Sequence, residues 1–327
     1  MATTITPPEG YILRPPTPDD IPEIIALIAA LDTSFYGEAD LYTAEDIEEG
    51  WKRLTRETDA WVAVAPDGSL AAYGDVTDNG FGQLNADGYV HPAHRGHGLG
   101  TMLVRMTEQR ARELTPNAPE HARIVLGNGV LIRDTAANEI LEREGYTLTR
   151  VFWQMSVTLD APPAAPEWPE GVTVRTFAPG RDEHATFDAV EEAFSDHWGH
   201  VPRTYEQWSE RFTRSDFDPT LWFLAMDGEE IAGVVLSAHH PDTGWVNTVG
   251  VRRAWRRRGL GMALLLHAFG EMYRRGERKI SLGVDAQSLT GATRLYERAG
   301  MHPALEAAIY QKELRPGQDL SVQELAS

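Results

Sequence analysis

The sequence contains no cysteine. That excludes a disulfide framework, a thiolate metal site and a cysteine nucleophile. Any group transfer must use another covalent carrier or pass directly from donor to acceptor. Long apolar runs, low-complexity tracts and a secretory leader pattern are missing as well, so a soluble cytoplasmic protein is expected. Positive charge is scarce: 30 Lys and Arg face 49 Asp and Glu, a net charge of −19. Such a balance disfavours nucleic acid or an anionic membrane as partner. The deficit is uneven, with 12 basic against 25 acidic residues over 1–161 and 18 against 24 over 162–327.

What is present is a turn that occurs twice, 161 positions apart. The copies are Arg95-Gly96-His97-Gly98-Leu99-Gly100 and Arg256-Arg257-Arg258-Gly259-Leu260-Gly261, each reading Arg-x-x-Gly-x-Gly. Each follows a β-type run ending in valine (Val90, Val251) and opens a helical pattern. Glycines at a strand-to-helix junction let backbone N–H groups converge at the positive end of a helix dipole, a geometry that binds pyrophosphate. Arg14 and Arg175 repeat at the same offset, as do Trp61 and Trp222, which makes internal duplication the first architectural fact. The halves read as domains 1–158 and 172–327, joined by a proline-rich linker over 159–171.

In the second half, strands are expected at Thr173–Phe177, Leu221–Met226, Glu230–Ala238, Trp245–Val251, Lys279–Val284 and Ala307–Glu313. Helices are expected at Asp182–Phe194, Thr204–Arg214, Leu260–Arg275 and Thr290–Ala299. The first half repeats this order from Tyr11 to Thr158. The result is α/β: two copies of a mixed, mostly antiparallel sheet flanked by helices.

On these residues the chain resembles the GNAT superfamily of N-acetyltransferases over nearly all of both halves. The family's acyl-CoA signature matches both turns. Its late signature matches Leu295-Tyr296-Glu297-Arg298-Ala299-Gly300. Two fused copies look like the tandem group that includes mycothiol synthase. The resemblance implies acetyl-CoA as co-substrate and transfer of acetyl to a primary amine of a small molecule; it does not identify the acceptor, and the alternatives are a non-catalytic acyl-CoA-binding or sensing protein and a tandem acyltransferase with another acyl donor. It also implies that the backbone of Val249, Gly250 and Val251 positions the acyl-pantetheine. The turn from Arg256 through Arg257, Arg258, Gly259, Leu260 and Gly261 to Met262 would then hold the pyrophosphate. The first-half equivalents are Val90, Arg95, Gly96, His97, Gly98, Gly100 and Thr101.

An amine attacking a thioester needs a neutral nitrogen, a polarised carbonyl and a proton for the leaving thiolate. Tyr296 matches the tyrosine that donates to that thiolate in many members; the alternative is a packing residue on a helix face. Aligning Gly145 with Gly300 puts Leu141 opposite Tyr296, so the first half lacks the donor and is expected to be catalytically degenerate while still able to bind cofactor. For proton removal the candidates are Asp196 and His197, with Trp198 as a pocket wall. Equally, Asp196 reads as a helix-end residue and Trp198 as core. Asn247 and Thr248 are polar on the motif strand, where no glutamate stands. Asp32, Tyr36 and Glu38 occupy the equivalent first-half loop. Arg252, Arg253, Arg256, Arg257 and Arg258 read as a phosphate-binding surface. His91, His94 and His97 invite a metal reading, but the spacing matches no strong zinc motif, and no metal is expected.

Overall fold

The computed structural model describes residues 5–37, 39, 42–197, 200, 202–240, 243–288 and 291–320. Two compact units emerge: Met1–Val151 with Glu306–Leu320, and Phe152–Leu305 with Ser321–Ser327. They do not follow the contiguous halves. Each half's closing strand is built into the other unit.

The first unit contains β1 (Ile12–Arg14), α1 (Ile21–Tyr36), α2 (Ala44–Trp51), α3 (Arg56–Asp59), β2 (Ala60–Val64), β3 (Leu70–Asp78), β4 (Gln83–Val90), α4 (Leu99–Leu114), β5 (Ile124–Leu131) and α5 (Thr135–Arg143). The chain passes through β6 (Thr147–Thr158) into the second unit. There follow β7 (Val172–Thr176), α6 (Glu183–Phe194), α7 (Tyr205–Ser209), β8 (Trp222–Asp227), β9 (Glu230–His240), β10 (Thr243–Val251), α8 (Leu260–Arg274), β11 (Lys279–Asp285), α9 (Ala292–Arg298) and β12 (His302–Arg315).

In the first unit β1 to β4 form an antiparallel run, β5 joins β4 in parallel, and β12 closes the sheet by pairing antiparallel with β5 from Ala307 on. The second unit repeats this with β7 to β10, a parallel β11, and β6 pairing antiparallel with β11 from Phe152 on. Exchange of an identical element between duplicates costs little, because either copy offers the same acceptor edge.

One face of the first sheet is covered by α1, whose Ile24, Leu27 and Ile28 are buried at helical spacing against Val62 and Tyr73. The other face is covered by α4 through Leu99, Met102 and Leu103. That helix lies so close that a Cβ on Gly74 would stand 3.0 Å from Leu103, and Gly233 meets Leu264 at the same distance beneath α8. The sequence repeat of Arg14 and Arg175 becomes a pair of matching clamps. Arg14 grips Asp20 at 2.7 and 2.8 Å, and Arg175 grips Asp182 at 2.5 and 3.0 Å. No helix among the described residues is long and apolar enough to cross a membrane.

Candidate active site

In each unit the strand before the glycine turn loses its partner on one side. β4 pairs with β5 only from Gln83 to Ala86, leaving Asp87–Val90 with an open edge. β10 pairs with β11 only at Gly244 and Trp245, so the edge over Val249, Gly250 and Val251 is open too, while β9 continues to pair on the far side. Open backbone N–H and C=O groups at such an edge can bond an extended ligand as another strand would. The helix that follows points its N-terminus at the same opening. Gly98 and Gly259 are the N-cap residues of α4 and α8, both at φ 85°, and neither helix has a side-chain cap. The first-turn amides of a 16-residue and a 15-residue helix are thus offered to an anion. One sequence-expected donor is spent: the Met262 amide bonds Gly259 O at 3.1 Å. A tightened first turn has already satisfied it.

The alignment of the halves holds in space. A Cβ on Gly100 would lie 3.2 Å from Ile140, and one on Gly261 would lie 3.3 Å from Leu295. Ile140 and Leu295 therefore cover the same point of each turn, and the next residue is Leu141 in one unit and Tyr296 in the other. Leu141 is core. Tyr296 is mostly buried, and among the described residues its hydroxyl has no hydrogen-bond partner. Burial pushes its phenol up to about 12, so it stays protonated at neutral pH.

The five-arginine surface needs correction. Arg252 bonds Glu192 at 2.6 Å, Arg253 bonds Asp196 at 2.5 Å, and Arg256 bonds Asp196 at 2.7 Å. Arg256 also donates to Val251 O and Ala193 O, both at 3.1 Å. Its guanidinium ties the turn to the end of α6 and is not turned toward a phosphate. Only Arg257 and Arg258 are exposed without a partner among the described residues. Composition reported the charges, but charge counts carry no information about pairing. Arg257 sits at φ 63° in the left-handed region, where the other copy has Gly96 at φ 82°. Arg95 in the first unit is exposed, bonding Ser34 at 3.0 Å and lying 4.4 Å over Phe35.

Asp196 is corrected as well. It is 1% exposed, with both carboxylate oxygens engaged by Arg253 and Arg256. A carboxylate held by two cations is a poor proton acceptor. His197 has no side-chain hydrogen bond among the described residues. Its ring lies 4.3 Å from that of Phe194, and burial first, then His200 and Arg256, lower its pKa. The imidazole is thereby kept neutral. Thr248 is buried on the α6 side of β10, next to a bulge that leaves Asn247 exposed. Tyr36 donates to Glu306 O at 3.1 Å, and Asp32 is buried. Trp198 and Glu38 lie outside the described residues.

The first unit's histidines are engaged separately. His94 Nδ1 and Tyr11 Oη are 3.1 Å apart, and His91 Nδ1 accepts from Ala93 N at 3.2 Å. His97 Nδ1 lies 3.1 Å from Arg95 O. Thr101 accepts from Arg143 at 3.1 Å. Beside this turn is a cavity of about 420 Å³ that runs from Gly98 and Thr101 past Ile140 to Asp87 on β4 and Asn128 on β5. Sequence reasoning passed over Asp87 and Asn128. The available signal was a carboxylate and an amide on strands flanking the turn, inside otherwise apolar alternation.

The acetyltransferase (GNAT) family model matches residues 24–128 and 184–301. A mycothiol acetyltransferase of Streptomyces scabiei is 34% identical over 75% of this chain and 77% of its own length. One from Thermobispora bispora is 34% identical over 70% of this chain and 75% of its own. The crystal structure of a GCN5-related N-acetyltransferase from Sphaerobacter thermophilus superposes with a TM-score of 0.85 at 45% identity, covering 97% of this chain and all of that one. A tandem GNAT protein from the clavulanic acid biosynthesis pathway shares the fold, with a TM-score of 0.69 at 17% identity over 94% of this chain.

Proposed function

The chain belongs to the acetyltransferase (GNAT) family, and from that premise we propose that its second unit transfers acetyl from acetyl-CoA to a primary amine of a small molecule, both substrates being bound together. The observation that carries this reading is the open edge of β10 leading into the uncapped N-terminus of α8. That pairing of features fits a ligand with an extended amide-bearing arm and a pyrophosphate. Val249, Gly250 and Val251 would bond the arm. The amides at Gly259, Leu260 and Gly261, with Arg257 and Arg258, would take the phosphates. In the first unit Val90 and the turn from Arg95 through Gly96, His97, Gly98 and Gly100 to Thr101 would do the same. Bound acetyl-CoA supplies the thioester carbon that the amine attacks.

His197, held neutral by its buried setting, takes one proton from the incoming ammonium, and the second proton that the nitrogen loses as the adduct collapses passes to the departing sulfur. Tyr296 serves the leaving sulfur. A phenol at about 12 is a weaker acid than a thiol near 8.5, so its hydroxyl stabilises the thiolate by donating a hydrogen bond rather than by surrendering its proton outright. Asp196 acts through Arg256, fixing the turn against α6.

Thiol release from acetyl-CoA, screened against an amine library with the full chain, tests the reading. Release should require an amine, with initial-rate lines that intersect. Parallel lines, or an isolable acetyl-enzyme, would overturn direct transfer. For the first unit a second reading is favoured by Leu141: an acyl-CoA-binding copy that does no chemistry of its own.

A further inference from the structure

On the α6 side of the second unit's sheet, Trp222 of β8, Leu236 of β9 and Thr248 of β10 form one cross-strand row. The row ends on β10 at the open edge that leads to Val249. The end of α6 lies over that edge: a Cβ on Gly250 would meet Ala193 at 3.0 Å and Phe194 at 3.5 Å, and His197 stacks on Phe194. One end of the row is therefore at the base. The other end, two strand spacings or about 10 Å away, carries Arg211. In the first unit the same row reads Ala60, Asp75 and Asp87, so the aromatic end belongs to the second unit alone.

Arg211 follows α7 in the short turn Glu210–Thr213. Its guanidinium carbon lies 4.7 Å from the Trp208 ring and 5.9 Å from the Trp222 ring. Nε donates to Trp208 O at 2.9 Å, and the two terminal nitrogens have no partner among the described residues. Burial first, and then Arg203, pull its pKa down to about 10 against the pull of Glu191, so it remains a cation at neutral pH. Other arginines of this unit hold a carboxylate: Arg175 holds Asp182, Arg214 holds Asp216 and Arg252 holds Glu192. Glu191 is turned elsewhere, 3.4 Å from His200 Nε2 and 3.5 Å from Arg203 N. A second donor in the same cluster also lacks an acceptor. Trp208 is 1% exposed, and its Nε1 has no partner among the described residues. Buried donors of this kind call for an acceptor atom. A guanidinium held against aromatic rings still presents its edge N–H groups, and a carboxylate matches two of them at once.

We propose that Arg211 binds a carboxylate of the acceptor, so that the amine brought to His197 belongs to an amino carboxylate whose two ends fit within about 10 Å. This rests on the reading that the second unit acetylates an amine, so the test separates the two. The probes are 3-aminopropionate, 4-aminobutyrate and 6-aminohexanoate, each beside its carboxamide. They are assayed with the full chain by thiol release from acetyl-CoA, and hydrogen exchange over residues 204–222 is followed with CoA and the same pairs. At least one acid should exceed its amide about 10-fold in kcat/KM, the difference between a charge-assisted and a neutral hydrogen bond. That acid should also add protection over 204–222 that its amide does not. Arg211→Gln should abolish the preference through a higher KM for the acid. Arg211→Lys, which keeps the charge without the fork, should restore part of it. Equal turnover of acid and amide by the native chain would overturn the proposal without any variant having to fold, and so would a preference that survives Arg211→Gln; both leave the acetyltransfer reading standing. Release only with amines that lack a carboxylate has the same meaning. Release with no amine at all removes the reading, and the proposal falls with it.

Discussion

Replacing Asp196 with alanine separates a structural latch from a catalytic base. The Asp196 side chain is 2% exposed and holds Arg256, itself 26% exposed, at 2.7 Å. Removing one partner of a fully buried pair costs about 3–5 kcal/mol, because the other charge is left uncompensated. Arg256 keeps its two bonds to Val251 O and Ala193 O and some contact with water. We therefore expect a smaller loss of roughly 2–3 kcal/mol, at or below the lower limit of that range. The exposed Arg253 arm is not counted. Seven of the nine tryptophans lie between Phe152 and Leu305, so intrinsic fluorescence during denaturant unfolding reports chiefly on the unit concerned. The midpoint should fall, and acetyl-CoA affinity with it, since the latch fixes the turn. Asp196→Asn should fall by less, because it keeps the shape and one acceptor oxygen. A stability change below about 0.5 kcal/mol, within the range of an ordinary surface substitution, combined with abolished turnover would refute the latch and restore Asp196 as base.

Other outcomes follow from the same geometry. Arg257→Gly relieves a left-handed non-glycine residue, a cost of about 1–2 kcal/mol; thermal melting should hold or rise while acetyl-CoA affinity drops, and unchanged affinity would remove Arg257 from the phosphate site. The His197 base must be neutral and its pKa is lowered, so kcat/KM should lose activity only below the ordinary histidine range near 6.5; an acid limb above that value, or one that persists in His197→Gln, would contradict its role. Asp20 is depressed to about 2 by its bonds to Arg14, and Asp182 is depressed too, with the bonds to Arg175 and Arg181 outweighing burial. Groups depressed in the folded state stabilise above their unfolded pKa near 3.9 and lose that contribution as pH falls through the folded value. Unfolding titrations should therefore show stability declining from about pH 4 toward 2, and Arg14→Ala together with Arg175→Ala should flatten the decline; an unaltered slope would exclude the clamps.

The glycine turns were legible because their chemistry is local. A strand, an Arg-x-x-Gly-x-Gly turn and a helix must be adjacent in sequence to work, and the offset between Gly98 and Gly259 exposed the duplication. The correspondence of Leu141 with Tyr296 was legible for the same reason, and the equivalent covers at Ile140 and Leu295 bear it out. The destination of the closing strands was not legible. Alternating apolar residues in β6 and β12 specify a strand, but they do not choose between two near-identical edges. Pairing was also hidden: Asp196 lies 57 and 60 positions from its two arginines, and no local pattern connects them. Asp75 and Asp87 face each other only once the β3–β4 register is known.

The central claim is that chemistry resides in the second unit, with Tyr296 assisting departure of the thiolate. Initial-rate turnover of Tyr296→Phe, beside the native chain and with the acceptor found by thiol-release screening, tests it most directly. The substitution removes one hydroxyl, unpaired among the described residues, and keeps the ring that packs against the core. A lost hydrogen bond to a developing charge is worth about 1.5–3 kcal/mol, so kcat should fall roughly 10- to 150-fold with acetyl-CoA binding nearly unchanged. Full activity in Tyr296→Phe would contradict the account.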